Sequence, residues 1–211
     1  LKKVGAIILA AGMSKRMGKP KLLLSLGGKP LFRYSVNTVA AVGLKPIVLV
    51  GGKHIEELRK HTSDLTEIEI IENREYESGM ASSLKAGIQA LKGRTDAVFV
   101  FLADQPFVPP IVITKLLESY DQYRKEGVRI FRPKYNNVLG HPVLFDAELF
   151  DEFEQIQGDE GGKSILQKHH SSLMAVPFEN SEWGFDIDTT EDLLKLKRRT
   201  AFVTQCRTPS E

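Results

Sequence analysis

Hydrophobic and polar positions alternate between two patterns over the first half of the chain. Near-continuous apolar runs occupy Val4–Ala10, residues 46–50, residues 68–71 and Ala97–Leu102. Stretches with helical spacing lie between them. One follows Pro30 and puts Phe32, Ser35, Val36 and Val39 on one face. A short one covers Ile55–His61, and a third, over residues 78–91, aligns Met80, Leu84, Ile88 and Leu91 in a stripe. Buried apolar strands alternating with amphipathic helices predict an α/β fold with a mostly parallel sheet, covered by helices on both faces. Such a sheet takes its ligand beyond the carboxyl ends of its strands.

The second half has a different rhythm. Pro109 and Pro110 open a helix that runs to Tyr123, proline being suited to a first helical turn. "VRIFRPKY" and "HPVLF", joined by "NNVLG", predict a small antiparallel insertion on the sheet edge. A helix with Leu149, Phe150 and Phe153 follows, then the Gly-rich "GDEGGKSIL", a strand "LMAVPF", the segment "WGFDIDT" and a closing helix over residues 190–199. Residues 1–200 read as a single domain and 201–211 as a loose tail.

Composition narrows the class. A hydrophobic fraction of 42% with 27% charged residues is that of an ordinary globule. The net charge of only +2 argues against a nucleic-acid partner, which would call for a basic excess. Cys206 is the single cysteine, too few for an internal disulfide or a multi-thiolate zinc site, so a reducing, cytoplasmic setting is expected. No apolar run has the length of a membrane span, so no membrane partner is expected.

The chemistry-bearing residues begin where the first strand ends. In "LAAGMSKRMGKPK", Gly12 and Gly18 permit backbone N–H groups to converge on an anion. Arg16 can grip a phosphate through paired hydrogen bonds, while Lys15, Lys19 and Lys21 act as point charges. The spacing is not that of a Walker loop, nor is there a G-x-G-x-x-G for a dinucleotide. A solvated basic turn is the plainer alternative. Asp104, in "VFVFLADQP", ends a fully apolar strand and is placed to hold a divalent metal against triphosphate oxygens, unless it only starts a turn. "FDIDTTED" would set Asp186 and Asp188 on one face of a short strand, with Phe185 and Ile187 on the other. Asp188 and Thr189 could equally cap the final helix. Gly79, Ser82 and Ser83 open a helix whose N-terminus could approach a base or ribose, with Ser78 as an ordinary cap. His141 is more commonly structural in such a setting, and "GDEGGKSIL" could be a mobile loop or a plain helix start.

Together these motifs resemble the MobA-like nucleotidyltransferases. "LAAGMSKRMGKPKLLLSLGGKPL" is similar to the family signature. "ENREYESGMASSLKAG", "LADQP", "GHPVLF", "GDEGGKSIL" and "DIDTTEDL" follow in the order of one branch, the molybdenum cofactor cytidylyltransferases and their relatives in molybdenum hydroxylase maturation. The resemblance implies a three-layer Rossmann-like nucleotidyltransferase fold. It implies that Leu9, Ala10, Ala11, Gly12, Ser14, Arg16 and Lys21 hold the nucleotide with Gly79, Ser82 and Ser83. It also implies that Asp104 and Asp188 hold Mg²⁺, and that His141 and Asp159 face the acceptor. Arg16, Lys21 and Asp104 would carry catalysis. The implied reaction moves CMP from CTP to molybdopterin and releases pyrophosphate, with a molybdenum hydroxylase as a client. Ala11, where guanylyl-transferring relatives have Gly, favours cytosine. The alternatives are transfer to a sugar or alcohol phosphate, and a non-catalytic carrier of the molybdenum cofactor.

Overall fold

The structure, a computed structural model, describes residues 2–12, 20–189 and 191–194. Ten strands are present among them: β1 (Val4–Ala10), β2 (Ser25–Leu26), β3 (Lys29–Pro30), β4 (Ile47–Gly51), β5 (Ile68–Glu72), β6 (Ala97–Leu102), β7 (Ile130–Tyr135), β8 (Val138–Leu139), β9 (Val143–Asp146) and β10 (Leu173–Phe178). Five α-helices join them: α1 (Phe32–Ala41), α2 (Ile55–His61), α3 (Met80–Leu91), α4 (Pro110–Tyr123) and α5 (Lys163–Lys168), and residues 191–194 open a last helix. The main sheet runs in the order β10-β7-β9-β6-β1-β4-β5, with β8 paired to β7. β2 and β3 form a separate two-stranded hairpin.

Alternation along the central strands explains the layers. Ala6 and Ile8 of β1, Leu49 of β4 and Phe99 of β6 enter one core with Phe32 and Val36 of α1 and Val112 and Leu116 of α4. Ile7, Val48 and Val98 point the other way, toward Leu84 and Ile88 of α3, Phe150 and Phe153, and Ile165 of α5. A strand with cores on both faces must be apolar throughout, as β1 and β6 are. Gly87 lets α3 lie close to β1, because a Cβ there would sit 2.6 Å from Cγ2 of Ile7.

The predicted parallel sheet is present: β1 pairs in parallel with both β4 and β6, and β10 with β7. The expected antiparallel insertion is not at the edge. β9 lies inside the sheet, antiparallel to β6 on one side and β7 on the other, and β10 forms the edge. The "GHPVLF" segment reads as hairpin because of its turn residues, but Val143, Leu144 and Phe145 are all buried and claim an interior position. Met80 also departs from its predicted stripe. It is 42% exposed, because α3 begins only there, after a 3-10 turn at Tyr76–Ser78. The segment 147–155, with Leu149, Phe150 and Phe153 buried as expected, is 3-10 rather than α-helical. No helix among the described residues is long and apolar enough to cross a membrane.

The chain leaves β1 toward β4 and β5, then returns on the opposite side of β1 with β6. That reversal opens a crevice above the carboxyl ends of β1 and β6, where an open α/β sheet binds ligands.

Candidate functional site

A cleft of about 310 Å³ occupies the crevice. Leu9, Ala11 and Gly12 come to it from β1 and its exit, Leu102 and Asp104 from the end of β6, and Lys21 from the 3-10 turn Lys21–Leu23. Tyr76, Glu77, Gly79, Met80 and Ser83 close the opposite side, with Asp159 above. Asp104 is carried there because the Ala103 N–H donates to the Leu9 carbonyl at 3.2 Å, prolonging the contact between the two strands past β6.

The charged wall is built around one ammonium group. Lys21 Nζ donates to Asp104 Oδ2 at 2.8 Å and to Asp188 Oδ1 at 2.9 Å. Burial pulls the Lys21 pKa down, but the two carboxylates outweigh it and hold the pKa above the ordinary lysine value. A third acid, Asp186, accepts from Gln105 Nε2 at 2.8 Å. Burial raises its pKa, and the negative charges of Asp104 and Asp188 add to that rise.

Asp186 and Asp188 arrive without the expected strand. Residues 185–188 have no regular secondary structure. Their placement comes from Ile187, which is fully buried among Leu26, Leu31 and Leu193 and donates its N–H to the Asp104 carbonyl at 3.1 Å. Phe185, expected on the same face as the buried Ile187, is 41% exposed. The capping alternative has a partial answer. Thr189 and Asp192 form a reciprocal capping box, Thr189 N–H to Asp192 Oδ2 at 2.8 Å and Asp192 N–H to Thr189 Oγ1 at 3.1 Å. Thr189 therefore caps the last helix, and the Asp188 side chain reaches Lys21.

Neutral hydrogen bonds hold the opposite wall. Asn73, buried just past β5, donates from Nδ2 to Ser82 Oγ at 2.8 Å and to Ser83 Oγ at 2.9 Å. Its Oδ1 accepts from the Glu75 N–H at 2.9 Å, fixing the turn that presents Tyr76. The sequence by itself assigns Asn73 no role. Its only signal there is its position, two residues beyond an apolar run and nine before a serine pair. The two serines differ: Ser83 lines the cleft, whereas the Ser82 hydroxyl donates within its own segment to the carbonyls of Glu75 and Gly79 and faces a second groove.

Ser78 does not cap α3 with its hydroxyl, which donates to the Glu75 carbonyl. The helix is capped from a distance. The Met80 N–H donates to Asp159 Oδ1 at 3.3 Å and the Ala81 N–H to the Gly158 carbonyl at 2.9 Å. Gly79 is required at this junction: its φ is +114°, and a Cβ would sit 2.4 Å from the Gly158 carbonyl. "GDEGGKSIL" is thus a docked turn leading into α5.

His141 lies under this wall, in a small apolar recess of about 30 Å³ shared with Leu9, Met80, Leu84 and Leu102. Burial draws its pKa down to about 4, and the charge of Arg132 contributes, so the imidazole is neutral at pH 7. Arg132 itself donates through Nε and Nη2 to the Gly140 carbonyl. The structure thus brings Leu9, Ala11, Gly12, Lys21, Gly79, Ser83, Asp104 and Asp159 to one cleft, with Asp188 bonded to Lys21 at its margin. Ala10 is buried on the neighbouring face of β1, in the core. Ser14 and Arg16 lie outside the described residues, as do Lys15, Gly18 and Lys19, Thr190 with 195–199 of the expected last helix, and Cys206 in the expected tail.

Among the described residues no group of three or more His, Cys, Asp or Glu is arranged to hold a metal ion. A pair of carboxylates is nevertheless what Mg²⁺ accepts when substrate phosphates and water complete its shell. Asp104 and Asp188 already share one cation, the Lys21 ammonium, so their placement fits that role.

Comparison with known proteins gives the family and the fold. The sequence profile of the family described as MobA-like NTP transferase domain matches residues 6–173. The molybdenum cofactor cytidylyltransferase of Escherichia coli (strain K12) is 29% identical over 197 residues, covering 93% of this chain and 96% of its own. The nicotine blue oxidoreductase of Paenarthrobacter nicotinovorans is also 29% identical over 197 residues, covering 92% and 96%. In fold, a nucleotidyl transferase from Methanothermobacter thermautotroptrophicus superposes with a TM-score of 0.79 at 20% identity, over 95% of this chain and 99% of that one.

Proposed function

We propose that this chain, which belongs to the MobA-like NTP transferase family, transfers CMP from CTP to the phosphate of molybdopterin and releases pyrophosphate. The observation that carries the reading is the pair Asp104 and Asp188, drawn from distant parts of the sequence onto one cation beside the β1 exit. That arrangement suits a metal–triphosphate complex. The two relatives of equal identity carry different names, one a transferase and one an oxidoreductase. The carboxylate pair supports the former.

The acceptor's phosphate is ionised at neutral pH, so an oxygen of it attacks the α-phosphorus without a strong general base. A new P–O bond forms there, and the bond to the β-phosphate oxygen breaks as pyrophosphate leaves. The difficulty is to align two anions that repel each other. Asp104 and Asp188 would hold Mg²⁺, which supplies charge neutralisation at the phosphates when bound. Lys21 stabilises charge building on the leaving pyrophosphate, and Arg16 is proposed to do the same. The neutral wall of Tyr76, Gly79 and Ser83 sets the position of the nucleoside. Ala11 narrows the β1 side of the cleft by one methyl, which favours a pyrimidine. Asp159, which lines the cleft, is proposed to face the acceptor with His141 in the recess beneath, and a molybdenum hydroxylase would receive the product.

The test is pyrophosphate release with Mg²⁺ and purified molybdenum cofactor, comparing CTP, GTP and ATP. Turnover with CTP alone is expected. Turnover with GTP instead keeps the reaction and overturns the role of Ala11. No pyrophosphate with any nucleotide, from folded protein, overturns the assignment.

A further inference from the structure

Lys21 is proposed to meet phosphate, yet in this structure its ammonium is held by two carboxylates. It lies between Asp104 and Asp188, within 2.9 Å of an oxygen of each, the position a divalent ion shared by the same two carboxylates would take. Lys21 is mostly buried there, with its side chain 12% exposed, and Asp104 keeps only 24%. An ammonium and a divalent ion cannot both sit between Asp104 Oδ2 and Asp188 Oδ1, because the two cations repel each other at that distance. Without a cation these acids would repel one another, so the lysine is an internal counter-ion.

We infer that Lys21 is the resident counter-cation of the metal site, and that loading a divalent ion requires its side chain to leave the two aspartates and turn into the cleft. This deepens the proposed function and rests on it for the identity of the anion that receives the lysine. Lys21 lines the cleft, so a triphosphate there offers the ammonium a replacement for the two carboxylates it gives up. Nucleotide and metal then favour each other. Each removes what opposes the other, and the coupling is the same read from either side. Metal alone competes with Lys21 and binds weakly. Metal with nucleotide does not compete, so the site assembles most readily when both are present.

The test measures Mn²⁺ binding to the full chain by electron paramagnetic resonance, without nucleotide, so no turnover enters the readout. Lys21→Met is expected to bind Mn²⁺ at least about tenfold more tightly than wild type, a modest effect for a charge-assisted contact removed from the site. Asp104→Asn should abolish that binding in either background. Equal or weaker Mn²⁺ binding by Lys21→Met overturns the inference, as does binding that survives Asp104→Asn. A second measurement needs no variant. Pulse acetylation of the wild type, read at Lys21 by mass spectrometry, should accelerate on adding saturating Mn²⁺ alone. Labelling that does not change contradicts the exchange. Mn²⁺ binding that follows these expectations in a protein releasing no pyrophosphate leaves the exchange standing and overturns the transfer reading instead.

Discussion

The two walls of the cleft are held by different physics. The charged wall brings Lys21, Asp104 and Asp188 together across gaps of 83 and 167 residues, through two ionic hydrogen bonds to a single ammonium. The neutral wall joins Asn73 to Ser82 and Ser83, nine and ten residues away, and docks residues 158–159 on the start of α3. The first wall can exchange partners, because a cation or an anion can take the place of any member. The second cannot, because its groups are paired in directions fixed by backbone. A site that must align two anions needs both: adjustable charge on one side and a rigid reference on the other.

The comparison breaks most visibly at Asp104. Asp104→Ala should lower turnover by at least about 10³-fold while Lys21 retains Asp188, with a stability change within about 1 kcal/mol. Steady-state rates and a thermal melt of the same preparation check both halves. A fold that collapses would show the charged wall to be structural.

Gly79→Ala acts on the rigid wall. The residue needs positive φ and has no room for a methyl against Gly158, so a loss of about 1–3 kcal/mol is expected, with the 158–162 turn detached from α3. Chemical denaturation gives the first, and hydrogen exchange at the Ala81 amide the second. Asn73→Ala leaves hydroxyls and one amide to find new partners, at about 1–3 kcal/mol. It should raise the KM for nucleotide more than it lowers kcat, since the wall positions rather than reacts. An equal fall in kcat would place Asn73 in the chemistry.

The smallest effect belongs to His141. Its pKa is about 4 folded against an ordinary 6.5, so the unfolded chain takes up a proton that the native one refuses between those values. Stability from this group is complete well above pH 6.5 and is lost as pH falls toward 4, by at most about 2 kcal/mol at pH 5. His141→Gln should flatten that part of the profile, measured by denaturation from pH 7 to 4.5. An unchanged slope would mean another group carries it.

The sequence made the charged wall more legible than the neutral one. β1 and β6 are apolar on both faces, so their ends, and Asp104 with them, follow from periodicity alone. Asp186 and Asp188 alternate with Ile187 as in a strand, and one buried isoleucine gives the same result without strand pairing. Periodicity therefore found the acids while misreading the backbone. Asn73 was invisible because a polar residue after a strand is usually a turn, and its partners are set by how α3 approaches. β9 was misplaced for a related reason: a hairpin is local, whereas insertion between β6 and β7 depends on which strand edge is open when it folds. Asp159 shows the same limit. Its capping of α3 spans 79 residues, and helix-start rules look only nearby.

The most direct test of the central claim is the mass of the pterin after incubation with enzyme, Mg²⁺ and CTP. The account predicts a product heavier by one cytidylyl group, formed with Asp104 present and missing with Asp104→Ala. A pterin of unchanged mass, from folded wild-type protein, would contradict it.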